Sequence, residues 1–137
     1  MTPILYVDYD GTIVDDSIDS AYISMSKDMG KERALSVYRD SPDLWDRMLK
    51  LNIMVLLGIL LYKLVGFRVV LFTNRFPIQL GNVVENLGGW ILLFDDFIFG
   101  EGYKDTIPIH GVLWDNDPRY ASCVGVKGFK LIDTFKG

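Results

Sequence analysis

Ile4-Leu5-Tyr6-Val7-Asp8-Tyr9-Asp10-Gly11-Thr12 sets four apolar residues directly ahead of two carboxylates two positions apart. An unbroken apolar run, without alternation, is the pattern of a strand buried on both faces, as in parallel sheets. If the chain stays extended past Val7, the side chains of Asp8 and Asp10 leave it on the same side. Two such carboxylates repel unless a cation sits between them, which predicts a bound metal. Oxygen donors with no Cys or His nearby favour a hard cation such as Mg2+. Gly11 frees the backbone for a sharp turn whose amides can face phosphate oxygens.

Outward from this stretch, helical and strand-like segments alternate. Asp15, Asp16 or Ser17 can cap a helix over 18–39. Ser41-Pro42-Asp43 interrupts it, because a residue before proline avoids the helical region. A second helix is expected over 44–65, stopping at Gly66. Between 51 and 64 it is apolar nearly all round, which predicts cover on more than one side. Residues 67–72 read as a strand, 78–87 as a helix ending at Gly88-Gly89, and 97–99, 109–114 and 129–132 as further strands. This alternation implies a parallel sheet with right-handed crossovers. The expected fold class is therefore α/β, a three-layer Rossmann-like arrangement around about five parallel strands.

In such sheets ligands bind outside the carboxyl ends of the strands. Three strand ends carry suitable groups: Asp8/Asp10, Thr73/Asn74/Arg75 and Asp115/Asn116/Asp117. Thr73 offers a hydroxyl donor, Lys104 a fixed positive charge ahead of the fourth strand, and Asp115 a further metal ligand. Arg75 follows the Thr-Asn donor pair, where a guanidinium can grip a substrate phosphate or carboxylate. Other polar residues have plainer readings. Asp15 and Asp16 suit helix caps, Asp95 and Asp96 a water-facing loop end. His110 reads as structural beside an apolar strand, and Trp114 as packed on the sheet.

The composition fits one domain. Of 137 residues, 50% are hydrophobic and 23% charged, enough for an ordinary core and against disorder. Fourteen Lys and Arg against 18 Asp and Glu give a net charge of −4, which argues against a broad basic nucleic-acid face. One cysteine, Cys123, excludes an internal disulfide and a thiolate metal cage, so a reducing cytoplasm is the expected location. The most apolar stretch, 53–62, is half the length of about 20 residues that a membrane span needs. No secretory leader pattern is visible either.

The ordered set Asp8-x-Asp10-Gly11-Thr12, Thr73-Asn74-Arg75, Lys104 and Asp115-Asn116-Asp117 resembles the haloacid dehalogenase superfamily, over residues 4–119. Phe94-Asp95-Asp96-Phe97-Ile98-Phe99-Gly100 is similar to that family's approach to its third strand. The resemblance implies a phosphatase in which Asp8 is the nucleophile and Asp10 the general acid and base. Thr73 and the amide of Asn74 would hold the phosphoryl group, with Lys104 neutralising its charge. Mg2+ would bind the Asp8 carboxylate, the Asp10 backbone carbonyl and Asp115. The fourth motif, Trp114-Asp115-Asn116-Asp117-Pro118, resembles the Asp-Asn-x-Pro form of the carboxyl-terminal-domain phosphatase branch. There the Asn can be the direct ligand, so Asp115 and Asn116 both stand as metal candidates.

The usual lid of this family is expected to be miniature here, a helical segment at about 17–42 within a single domain, 1–137. The stretch from Gly100 to Lys104 is too short for a second lid. An open site either admits a phosphate on a protein or nucleic-acid end, or is closed by a second copy through the apolar helix 51–64. A nucleotide or similar small phosphomonoester is slightly favoured. Two alternatives keep the fold: a phosphate-accepting signalling module, and a catalytically silent scaffold.

Overall fold

The computed structural model describes residues 2–100 and 104–132. Its sheet contains β1 (Ile4–Val7), β2 (Arg68–Thr73), β3 (Asp96–Phe99), β4 (Thr106–Asp115) and β5 (Val124–Leu131), all parallel, in the order β3-β2-β1-β4-β5. The chain steps outward from β1 to β3, then returns to place β4 against the free side of β1. That reversal opens a crevice beside β1, the usual ligand position in such sheets. Val7 pairs with Leu71 of β2 and Trp114 of β4, so the three strands end at nearly one level.

The unbroken apolar run of β1 has its cause in two cores. Leu5 and Val7, with Val69 and Leu71 of β2, face the main core under the helices. Ile4 and Tyr6, with Val70 and Phe72, face a smaller cluster containing Leu113 and Cys123. That second face carries the 3-10 turn Pro118–Ser122, whose Tyr120 packs on the cluster.

The predicted helix over 18–39 is a hairpin of two helices, α1 (Ser17–Met29) and α2 (Lys31–Arg39). The break falls at Gly30, whose φ of 88° is one that glycine adopts at little cost. The predicted helix over 44–65 is also divided. A short α3 (Pro42–Trp45) ends early, and α4 (Ile53–Leu64) starts only at Asn52, whose Oδ1 accepts from Val55 N. Residues 49–52 instead run against the loop after β1. Asp15 N donates to Lys50 O, Asn52 N donates to Ile13 O, and Lys50 N donates to Asp15 Oδ2. From α5 (Leu80–Leu87), Asn86 accepts from Leu49 N at 2.7 Å and donates to Leu49 O at 3.0 Å.

Three further expectations need correction. Among the described residues α4 is covered on one side: Val55, Leu56 and Ile59 are buried, while Ile53, Met54, Leu57, Leu61 and Leu64 form an exposed stripe. β4 and β5 begin earlier than their apolar runs, because their first residues pair with one another, Thr106 with Val124, while much of that stretch is exposed. His110 accordingly lies exposed on β4. Trp114 does pack as read, 5.1 Å edge-on to Tyr62. The short 100–104 connection includes residues outside those described. Among the described residues, no helix is long and apolar enough to cross a membrane.

The Leu49–Asn86 contact is testable. Asn86→Leu leaves a buried N–H and C=O unpaired, so chemical denaturation should show a loss of about 2–4 kcal/mol. A loss below about 0.5 kcal/mol would show that water replaces the amide.

Candidate active site

The site begins where β1 ends. Asp8 N donates to Trp114 O at 2.9 Å, which carries the strand pairing one residue further. The chain then closes on itself: Thr12, Ile13 and Val14 amides all donate to Tyr9 O, and Gly11 N donates to Val14 O. Those four amides are spent within the turn, contrary to the expectation that they face phosphate. Gly11 is required on two counts. Its φ is 79°, and a Cβ there would lie 2.1 Å from Asn116 Nδ2.

Asp8 and Asp115 share one cation. Lys104 Nζ lies 2.7 Å from Asp8 Oδ1 and 2.8 Å from Asp115 Oδ2, and donates to Phe72 O at 3.0 Å. The ammonium also sits 4.9 Å from the Tyr120 ring centre. Asp8 is 6% exposed, Lys104 4% and Asp115 1%. Burial, and then the Asp115 carboxylate, push the Asp8 carboxyl up to about 8, against the opposing pull of Lys104. Burial alone would favour a neutral Lys104, but the two carboxylates outweigh it and hold the ammonium charged.

The remaining carboxylate oxygens converge on one another's neighbours. Thr12 Oγ1 donates to Asp8 Oδ2, and Asp117 N donates to Asp115 Oδ1. The Asn116 amide lies 3.0 Å from Asp8 Oδ2 and 3.1 Å from Asp115 Oδ1. With its nitrogen turned inward it donates to both. With its oxygen turned inward, three oxygens converge and require a cation between them. Among the described residues, no three His, Cys, Asp or Glu side chains converge as a metal site. A cation here would instead draw on two carboxylates, an amide and a backbone carbonyl, an all-oxygen set suited to Mg2+.

Asp10 is held separately. Arg75 Nε donates to Asp10 Oδ2 and Arg75 NH2 to Asp10 Oδ1, both at 2.8 Å. Sequence reading offered this guanidinium to a substrate; the structure turns it onto Asp10 instead. The cause is the turn after β2, where Arg75 N donates to Thr73 Oγ1 and the side chain drops back toward Tyr9. Asn74 goes the other way, its Nδ2 donating to Tyr120 Oη at 2.8 Å.

A cleft of about 510 Å³ opens over these groups, lined by Asp8, Asp10, Thr73, Asn74, Lys104, Asp115 and Asn116. Its outer wall is α1, through Asp19, Tyr22, Ile23 and Ser26. Sequence reading singled out neither Asp19 nor Tyr120. Burial, then Asp10 and Asp8, push the Asp19 carboxyl well up. A signal existed for Asp19: residues 19, 22, 23 and 26 share one helical face. None existed for Tyr120, whose place depends on β4 lying beside β1. Asp15 acts as a cap, accepting from Ser17 N, and Asp117 caps the next turn by accepting from Arg119 N.

The burial of Asp8 beside Asp115 has a consequence for stability. A carboxyl raised in the folded state binds protons more tightly there, so metal-free stability should fall as pH rises from about 4 to about 8. Asp8→Asn removes the Asp8 share of that slope, leaving the share of Asp19, and should raise Tm at pH 8 with chelator. Thermal melts across this range check both; a flat wild-type profile would contradict the placement of Asp8.

No family model and no curated relative matches the chain. Solved structures similar to it include the HAD domain of effector protein Lem4 from Legionella pneumophila, at 15% identity and a TM-score of 0.48, covering 99% of this chain and 88% of that one. An inactive mutant of the same domain is similar at 12% identity and a TM-score of 0.47, covering 100% and 88%.

Proposed function

We propose that this chain is a Mg2+-dependent phosphomonoester hydrolase of the haloacid dehalogenase type, working through an aspartyl-phosphate on Asp8. One observation carries the reading: Lys104 bridges the inner oxygens of Asp8 and Asp115, leaving their outer oxygens and Asn116 convergent at the floor of a cleft. Bound Mg2+ would shield an anionic phosphate from the anionic nucleophile. Asp8, Asp115, Asn116 and the Asp10 carbonyl are the groups that would hold it.

In the first step an Asp8 oxygen bonds to phosphorus as the ester P–O bond breaks, and Asp10 gives a proton to the departing oxygen. In the second, water attacks the same phosphorus and passes a proton to Asp10. The Asp8–phosphorus bond breaks, the carboxylate returns, and inorganic phosphate leaves. Thr73 and the Asn74 amide, at the end of β2, hold the phosphoryl oxygens, and Lys104 offsets their charge. The cleft volume suits a small phosphomonoester such as a nucleotide. A phosphate-accepting module is the second reading, favoured by Arg75 occupying both Asp10 oxygens.

Hydrolysis of an aryl phosphate with Mg2+ or with chelator tests the assignment. Asp8→Asn should lower turnover at least about 10³-fold, and Lys104→Met about 10²–10³-fold. Turnover that survives chelator or Asp8→Asn would overturn the hydrolase. Stoichiometric phosphate retained on Asp8 without release would select the module.

A further inference from the structure

One buried cation at the strand ends has no part in the steps above. We propose that Arg75 is a positioning residue: without touching substrate, it sets the direction of the Asp10 carboxylate and so governs the proton step. This rests on the hydrolase reading, since only there does Asp10 carry a proton.

The geometry separates Arg75 from the substrate. Its side chain is 3% exposed and does not line the cleft, whereas the neighbouring Thr73 and Asn74 do. Two of its donors point at Asp10 in the parallel fork that matches a carboxylate. The guanidinium carbon lies 4.9 Å from the centre of the Tyr9 ring, itself buried. Beyond it the backbone is fixed as well: Phe76 N donates to Gln79 Oε1, and Gln79 Nε2 donates to Tyr38 Oη of α2. The carboxylate therefore has one orientation set by two bonds. Asp10 itself lines the cleft, so opening one bond leaves an oxygen beside that space while the other stays anchored. A lysine at this position would supply the charge without the fork.

The role predicts a dependence on the leaving group. The value of kcat/KM reports events only through leaving-group departure, where an acidic phenol needs little protonation and an alkoxide needs much. It is measured for the full chain on phenyl phosphates of graded phenol acidity and on an alkyl phosphate. In Arg75→Met, kcat/KM should fall at least about 10²-fold for the alkyl ester and less than about 10-fold for the most acidic phenol, matching Asp10→Asn. Arg75→Lys should lie between wild type and Arg75→Met. The double variant Asp10→Asn/Arg75→Met should be no slower than Asp10→Asn alone, and inhibition by inorganic phosphate should change less than about twofold.

Comparing two esters within one variant cancels any loss of folded protein. An equal fall for every leaving group, or inhibition by phosphate weakened tenfold, would overturn the proposal in favour of a structural or phosphate-gripping Arg75. A wild-type chain inert toward all the esters would overturn the hydrolase reading, and the role of Arg75 with it.

Discussion

The buried ammonium of Lys104 is the interaction on which the strand ends depend. It joins Asp8 at the end of β1 to Asp115 at the end of β4, and it is fixed from below by the carbonyl of Phe72 in β2. Each of these strands contributes one partner, so the contact exists only because the sheet order places β1 between the other two. Removing the cation would leave two carboxylates buried together, and an unpartnered buried charge typically costs about 3–5 kcal/mol. The same crowding holds the Asp8 carboxyl up in the absence of a further cation. The fold thus spends stability where the ends of β1 and β4 bring two carboxylates onto one ammonium.

Asp8 and Asp10 are two residues apart yet live in different surroundings. Asp8 shares its cation with another carboxylate and keeps one oxygen toward the cleft. Asp10 has a guanidinium to itself, with both oxygens engaged. Dividing two similar groups between two environments is the physical route by which two carboxylates of one turn come to behave differently. The turn between them makes this division, since Tyr9 points into the core and supports Arg75 from behind.

Much of this was legible along the chain, for a physical reason. A parallel sheet brings its carboxyl ends to one crevice whatever the details of the crossovers, so polar residues after Val7, Phe72 and Trp114 had to meet. What the sequence did not show depends on contacts between distant segments. Residues 46–52 are sound helix formers, but Asp15, Ile13 and Asn86 take up the backbone groups of 49, 50 and 52, and a local pattern carries no trace of that. The break at Gly30 was visible as a residue type but not as a turn. Arg75 was offered to a substrate anion, and in the fold its fork meets Asp10, because a hydrogen bond from its own amide back to Thr73 sets its direction. The cover expected for α4 is absent from the outer stripe, since hydropathy reports what a surface favours and not what lies against it.

The α1–α2 hairpin does more than roof the cleft. On one side, α1 turns Asp19, Tyr22 and Ser26 toward the cleft. On the other, Tyr38 of α2 packs 5.8 Å from Tyr22 and accepts from Gln79, which in turn holds the backbone of Phe76 beside Arg75. One hairpin therefore forms the outer wall of the site and also buttresses the residue that orients Asp10. The hairpin is bound into the core by its second helix, with Ala34 and Tyr38 buried. From that anchored hairpin α1 presents Asp19, Tyr22, Ile23 and Ser26 to the cleft, so the chemistry of its outer wall is set by one face of one helix.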